Sequence, residues 1–168
     1  MSNCPKHIKE KCYRSMVKPV LEYGCSVWDP HTKNQIDNLD RVQKNAARFV
    51  LNVYSFTKGS TERNLNTLKW TSLREDRAKI KTTLLYKGIN GLICIPTDQY
   101  KTKSNRINTR NSGYQSFMVP SSSVDCHLHS FFPSTIRLWN TLPYTTKSLG
   151  NIETFKRSLQ YTTLIISP

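Results

Sequence analysis

Apolar side chains recur every three to four residues through positions 6–90, and the recurrence breaks where proline or glycine intervenes. Ile8, Cys12, Met16 and Val20 step by four with Tyr13, Val17 and Leu21 alongside, one apolar stripe of a helix over 6–23. Pro19 lies inside it and predicts a kink or break near Ser15–Lys18. Residues 24–30 leave helical geometry, since Pro30 disfavours a helical Asp29. Thr32-x-x-Gln35 reads as a capping box opening a helix over 33–52, with Ile36, Leu39, Val42, Ala46, Phe49 and Val50 on its apolar side. Its wet side pairs Asp37 with Arg41 and Asp40 with Lys44 in weak i,i+4 ion pairs, and Ala46-Ala47 permits close approach of a neighbouring helix. A loop over 54–60 and a short helix at 61–68 lead to Trp70. Ser72-x-x-Glu75 then opens a helix over 73–89, with Leu73, Arg77, Ile80, Leu84 and Gly88 on one stripe and Ala78, Leu85 and Ile89 broadening it. Asn90-Gly91 supplies a left-handed stop.

From Pro96 the character changes. Residues 97–113 are Thr, Asn, Ser, Lys and Arg with almost no apolar side chain, the pattern of a flexible basic loop. Phe117 and Val119 alternate with polar neighbours as in a strand, and a second extended piece at 124–131 would complete a hairpin. Pro133 suits the first turn of a helix through Ile136 and Trp139, Leu142-Pro143 stops it, and Ile152, Phe155 and Leu159 mark a last short helix. The expected fold is mainly α: a small bundle over 1–95, a basic loop with a short β-hairpin over 96–130, and a helical appendage over 131–168 docking through Trp139 and Phe155. Tyr23, Trp28, Trp70, Tyr86 and Trp139 are assigned to the core, each ending an apolar stripe or joining two elements.

Charge changes the picture most. Twenty-five Lys and Arg against eleven Asp and Glu leave a net +14, which favours polyanions through Coulomb attraction and counterion release. Eleven of the basic and only four of the acidic side chains fall in 61–110. A strand-binding surface needs cations at phosphate spacing with aromatic faces nearby. Arg41, Lys44 and Arg48 repeat along the 33–52 helix; Arg74, Arg77, Lys79, Lys81 and Lys87 crowd the next; Lys101, Lys103, Arg106 and Arg110 lie in the loop. Tyr54, Tyr86, Tyr100 and Tyr114 are the adjacent aromatic candidates.

Other chemistries find little support. No run of 18 apolar residues crosses a membrane, and no apolar leader follows the basic N-terminus. Cys4, Cys12, Cys25, Cys94 and Cys126 are odd in number and scattered, as in an intracellular protein with reduced thiols, nuclear or cytoplasmic. Cys4-x-x-His7 with Cys12, and Cys126-His127-x-His129, each offer three ligands where structural zinc wants four in paired short spacings. Alternation along a strand would also put Cys126 on the face opposite the two histidines. No metal or other cofactor and no small-molecule substrate is expected. Two-metal phosphoryl chemistry needs paired carboxylates, and Asp29, Asp37, Asp40, Asp76, Asp98 and Asp125 are all isolated. No nucleophile elbow and no phosphate-cradling glycine loop is present.

Six short signatures occur in a fixed order. They are Leu21-Glu22-Tyr23-Gly24 running to Trp28-Asp29-Pro30; Gln43-Lys44-Asn45-Ala46-Ala47-Arg48-Phe49; Leu84-Leu85-Tyr86-Lys87-Gly88-Ile89-Asn90-Gly91; Ser130-Phe131-Phe132-Pro133; Trp139-Asn140-x-Leu142-Pro143; and Phe155-Lys156. That series resembles the C-terminal part of the reverse transcriptase of LINE-type, jockey-like non-LTR retrotransposons, over roughly residues 5–160. The resemblance implies a helical thumb-like segment and the tail following the polymerase. It implies a thumb's grip on a nucleic-acid backbone and an upstream reverse transcriptase domain as partner. The family's Tyr-x-Asp-Asp turn has no counterpart here, so the implied piece is not an enzyme by itself. Two other readings stay open: a domesticated nucleic-acid-binding module, and a non-binding structural remnant of a decayed element. The remnant's mark would be an uncovered apolar face on the first helix.

Overall fold

A computed structural model describes residues 4–54, 59–95, 97 and 117–162. The expected loop over 97–113, and with it Lys101, Lys103, Arg106, Arg110, Tyr100 and Tyr114, lies outside the described residues except for Thr97. Among those described the fold is mainly α. In chain order the helices are α1 (Lys6–Cys12), a π-helical turn (Tyr13–Val17), α2 (Lys18–Glu22), α3 (Cys25–Trp28), α4 (Lys33–Leu51), α5 (Ser60–Leu68) and α6 (Leu73–Ile89). There follow α7 (Asp125–Leu128), α8 (Phe131–Thr141), α9 (Tyr144–Lys147) and α10 (Ile152–Tyr161). The chain divides into two compact units, Met1–Asp76 and Arg77–Pro168, so the boundary falls within α6 rather than near residue 95. The reason is that Ala78, Leu85 and Tyr86 of α6 share one apolar core with α8 and α10.

In the first unit the chain runs through Pro19 without breaking. The π-helical turn just before it widens the backbone, and Pro19 sits in the first turn of α2, where no N–H is needed. Tyr13 alone of the first stripe is buried; its ring stacks on Trp70 at 4.3 Å, and the Trp70 indole N–H donates to Glu10 Oε1 at 3.1 Å. The inward side of α4 is Gln43, Ala47 and Val50, turned from the expected stripe, so Val42 and Phe49 stay partly open. Ala47, one of the small pair, does bring α4 against α5, where it packs with Val50, Leu68, Leu65 and Trp70. Thr32 is the N-cap residue of α4, but its side chain makes no capping bond. The Ser72 box is different: Ser72 Oγ accepts from the Glu75 N–H at 3.2 Å.

Three helices end in the same way, with a left-handed residue and a backbone bond reaching back five positions. Gly91 (φ +69) ends α6, with Leu92 N–H on Lys87 O at 2.9 Å. Asn52 (φ 53) ends α4 and Lys69 (φ 53) ends α5, with Val53 and Trp70 making the corresponding bonds. Lysine carries a Cβ penalty there that glycine does not. Lys69→Gly is therefore expected to raise stability by about 1 kcal/mol in denaturant unfolding; a loss would show that the lysine stem matters more than the backbone.

The second unit is built on Trp139, Phe155, Tyr86, Ile136 and Leu159, all nearly inaccessible. Tyr86 stacks on Phe155 at 4.1 Å, and its hydroxyl donates to Leu149 O at 2.6 Å. The expected hairpin is not there. Asp125–Leu128 is helical, and no strand occurs among the described residues. The Asn140 side chain holds the extended Phe117: it accepts from Phe117 N–H at 3.0 Å and donates to Phe117 O at 2.8 Å. One amide thus supplies both a donor and an acceptor to the same extended residue.

Candidate nucleic-acid interface

The basic side chains sort into those spent on structure and those left facing water. Lys9 is buried. Its ammonium donates to Asn52 Oδ1 at 2.6 Å and to Phe49 O at 3.4 Å, and lies 4.7 Å from the Phe49 ring centre. It thus neutralises the carbonyl end of α4, where the helix dipole favours a cation. Lys147 does the same for α8, donating to Asn140 O at 3.3 Å, and burial pushes its pKa down. Lys18 bridges Asp76 at 2.8 Å and Glu22 at 3.4 Å; these partners raise its pKa despite the opposing effect of burial.

Of the sequence candidates, Arg77 and Lys81 are corrected outright: they are 0% and 6% exposed and stand in no open row. They lie among the buried Ala78, Thr82, Leu85 and Tyr86 of α6. Arg48 is half-buried; it donates to Asn45 Oδ1 of its own helix at 3.2 Å and ties α4 to α5 through Thr61 Oγ1 at 3.5 Å. Arg74 and Lys79 are half-buried as well. Arg41 is exposed and Lys44 half-exposed on α4, and the expected pairs with Asp37 and Asp40 are not formed. Tyr54 is exposed, while Tyr86 belongs to the core.

In the second unit the structure gathers cations that the sequence does not group. Lys156 of α10 pairs with Glu153 at 2.8 Å, and Arg157 and Lys87 also act on that carboxylate. The Lys156 hydrogen bond, followed by the surrounding positive charge, holds the Glu153 carboxyl below its usual range. One acid among three bases leaves a local excess of positive charge. Lys156 and Arg157 come one and two positions after the Phe155 that anchors α10, so the helix period turns them off its buried face; the nearness of Lys87 had no signal in the sequence.

The first unit has a small cleft of about 50 Å³ walled by Tyr13, Arg14, Lys18, Gln43, Lys69, Trp70 and Thr71. Burial, and then the carboxylates of Glu22 and Asp76, push the Tyr13 phenol up from 10.0 to about 12. The folded pKa lies above the unfolded one, so the protonated phenol's contribution is complete below pH 10 and disappears as pH rises towards 12. Melting temperature is expected to fall over that window, and Tyr13→Phe to flatten the fall; an unchanged slope in the variant would rule Tyr13 out.

The cysteine and histidine ligand candidates do not assemble among the described residues. Among the described residues no three His, Cys, Asp or Glu side chains converge, and all five cysteines are free thiols. Cys126 and His127 lie exposed on α7, a helix, so the strand alternation expected for them does not apply. No described helix is long and apolar enough to cross a membrane.

The short signatures have structural work. Gly24 (φ +64) turns α2 into α3, and the Trp28 indole N–H donates to Tyr23 O across that turn. A Cβ on Gly88 would stand 3.0 Å from Thr97 Cγ2, so glycine permits close approach there. Ser130 is the N-cap residue of α8 and Pro133 is buried in its first turn. Trp139 fills the core, Asn140 pins Phe117, Leu142 is buried, and Pro143 precedes α9. Tyr23 and Trp28, expected in the core, are 84% and 40% exposed. Compared with protein-family models, curated proteins and solved structures, the chain finds no match.

Proposed function

We propose that this chain is a non-catalytic piece of a non-LTR retrotransposon reverse transcriptase that holds RNA or DNA non-specifically by its phosphate backbone, inside the cell. The supporting observation is a net charge of +14 that is not all consumed internally: among the described residues Arg41 and Lys44 make no ion pair on α4, and Lys87, Lys156 and Arg157 all act on Glu153. Nothing in that arrangement reads a base, so affinity comes from phosphate contacts and is salt-dependent. For about five contacts to a single strand, affinity should fall about 100-fold between 50 and 200 mM salt. Fluorescence anisotropy with a labelled oligonucleotide measures it. Charge reversal at Arg41 and Lys44, or at Lys87, Lys156 and Arg157, should each cost about tenfold. A salt-independent affinity, or variants that bind like the parent, would remove this reading.

One observation favours the remnant reading. Ile8, Met16, Val17 and Val20 are 40%, 69%, 38% and 71% exposed, so much of the stripe of the first helical stretch faces water, and Tyr23 and Val27 beyond it are exposed as well. An upstream polymerase domain is the partner that the resemblance supplies for such a face. A protein that aggregates, becomes soluble on Val20→Ser with Val27→Ser, and shows no salt-dependent RNA affinity would be such a remnant.

A further inference from the structure

We propose that the cleft of the Met1–Asp76 unit is a seat for one phosphate group, free or within a strand; this deepens the backbone-binding reading and rests on it. Its wall holds three cations, Arg14, Lys18 and Lys69, and no carboxylate. Three acids bond the wall residues: Glu10 holds Arg14 at 2.9 Å and accepts from the Trp70 indole, Asp76 and Glu22 hold Lys18, and Asp76 accepts from Thr71 Oγ1 at 2.6 Å. They fix Arg14 and Lys18 in place, and Lys69 supplies the charge they do not offset. Lys69 has no ion pair among the described residues and is exposed.

Size decides the ligand class. Pockets for drug-sized molecules run to about 300 Å³ or more, and this one, near 50 Å³, takes a tetrahedral oxyanion but no nucleobase. Two uncommon backbone features also meet at this wall. The π-helical turn supplies Tyr13 and Arg14, and the left-handed Lys69 ends α5. Such turns and strained residues concentrate at functional sites, because regular backbone would be more stable where nothing else is required. Lysine at position 69 costs stability that glycine would restore, and what it brings in exchange is a cation over the cleft.

The experiment uses the full chain and three probes: inorganic phosphate, chloride at equal ionic strength, and a labelled oligonucleotide. The Trp70 indole N–H resonance, assigned with Trp70→Phe, reports the cleft. Phosphate should shift it saturably while chloride does not. Lys69→Gly, which should fold more stably than the parent, should weaken phosphate about threefold to fivefold, the scale of one exposed charge-assisted contact. Oligonucleotide affinity falling in the same variant, with a salt slope reduced by about one, identifies a strand phosphate as occupant; unchanged oligonucleotide binding identifies free phosphate. A shift equal in chloride, or phosphate affinity unchanged in Lys69→Gly, overturns the seat. Oligonucleotide binding that persists in that case leaves the wider backbone reading standing. Phosphate binding without any oligonucleotide affinity leaves the seat and removes the wider reading.

Discussion

Trp139→Ala is expected to lower the stability of the Arg77–Pro168 unit by about 3–5 kcal/mol, comparable with the whole stability of a small domain. The side chain is 1% exposed, and its ring lies 6.2 Å from Phe117 and 5.9 Å from Phe155. Removing it opens a cavity between α8, α10 and the extended residue that Asn140 pins. Neighbours already in close contact refill such a space only partly. Chemical denaturation followed by circular dichroism measures the loss. Trp28→Ala is the control: its ring is 40% exposed and its indole N–H donates to Tyr23 O, so it should cost less than about 1.5 kcal/mol. Equal losses at the two tryptophans would refute the core assignment.

Lys9→Met is expected to cost about 2–3 kcal/mol while leaving oligonucleotide affinity unchanged. Methionine keeps most of the buried stem and removes only the ammonium, which carries two charge-assisted bonds and the favourable end of the α4 dipole. Asn52→Gly keeps the left-handed turn while deleting the Oδ1 acceptor. The cycle of the two substitutions should therefore show a coupling of about 1–2 kcal/mol. A Lys9→Met protein as stable as the parent would mean that the ammonium only balances its own desolvation. A loss of oligonucleotide affinity would instead return Lys9 to the binding surface.

These two residues show how far the sequence could be read. Trp139 was legible as core because Ile136 and Trp139 share a helix face and Leu142-Pro143 stops it. The 73–89 helix was legible to the residue, since a hydroxyl cap, an apolar period and Asn-Gly all act locally. The left-handed end of α5 gave no comparable signal, because lysine seldom takes a positive φ, whereas Asn52 at the end of α4 is a type that does.

Burial of Lys9 and Lys81 was not legible, and only Arg77 stood on the apolar stripe of its helix. Charge counting treats Lys9, Arg77, Lys81 and Lys87 alike, yet the first three are buried and Lys87 joins Lys156 and Arg157 near Glu153. The cleft cations Arg14, Lys18 and Lys69 were missed for the same reason: they come from three elements whose convergence no spacing encodes. The hairpin expected over 117–131 failed because Asp125–Leu128 closes a helical turn instead of a second extended piece, and the Asn140 contact to Phe117, more than twenty positions away, left no mark in the spacing.

What the sequence determined alone is the mainly helical character, most helix ends and the net positive charge. These follow from interactions within a turn or two of chain and from formal charge. Which basic side chains face water, which apolar stripe stays uncovered and where three cations meet were decided only in the tertiary structure. Desolvation and packing depend on neighbours distant in the chain, and those neighbours exist only once the helices have packed.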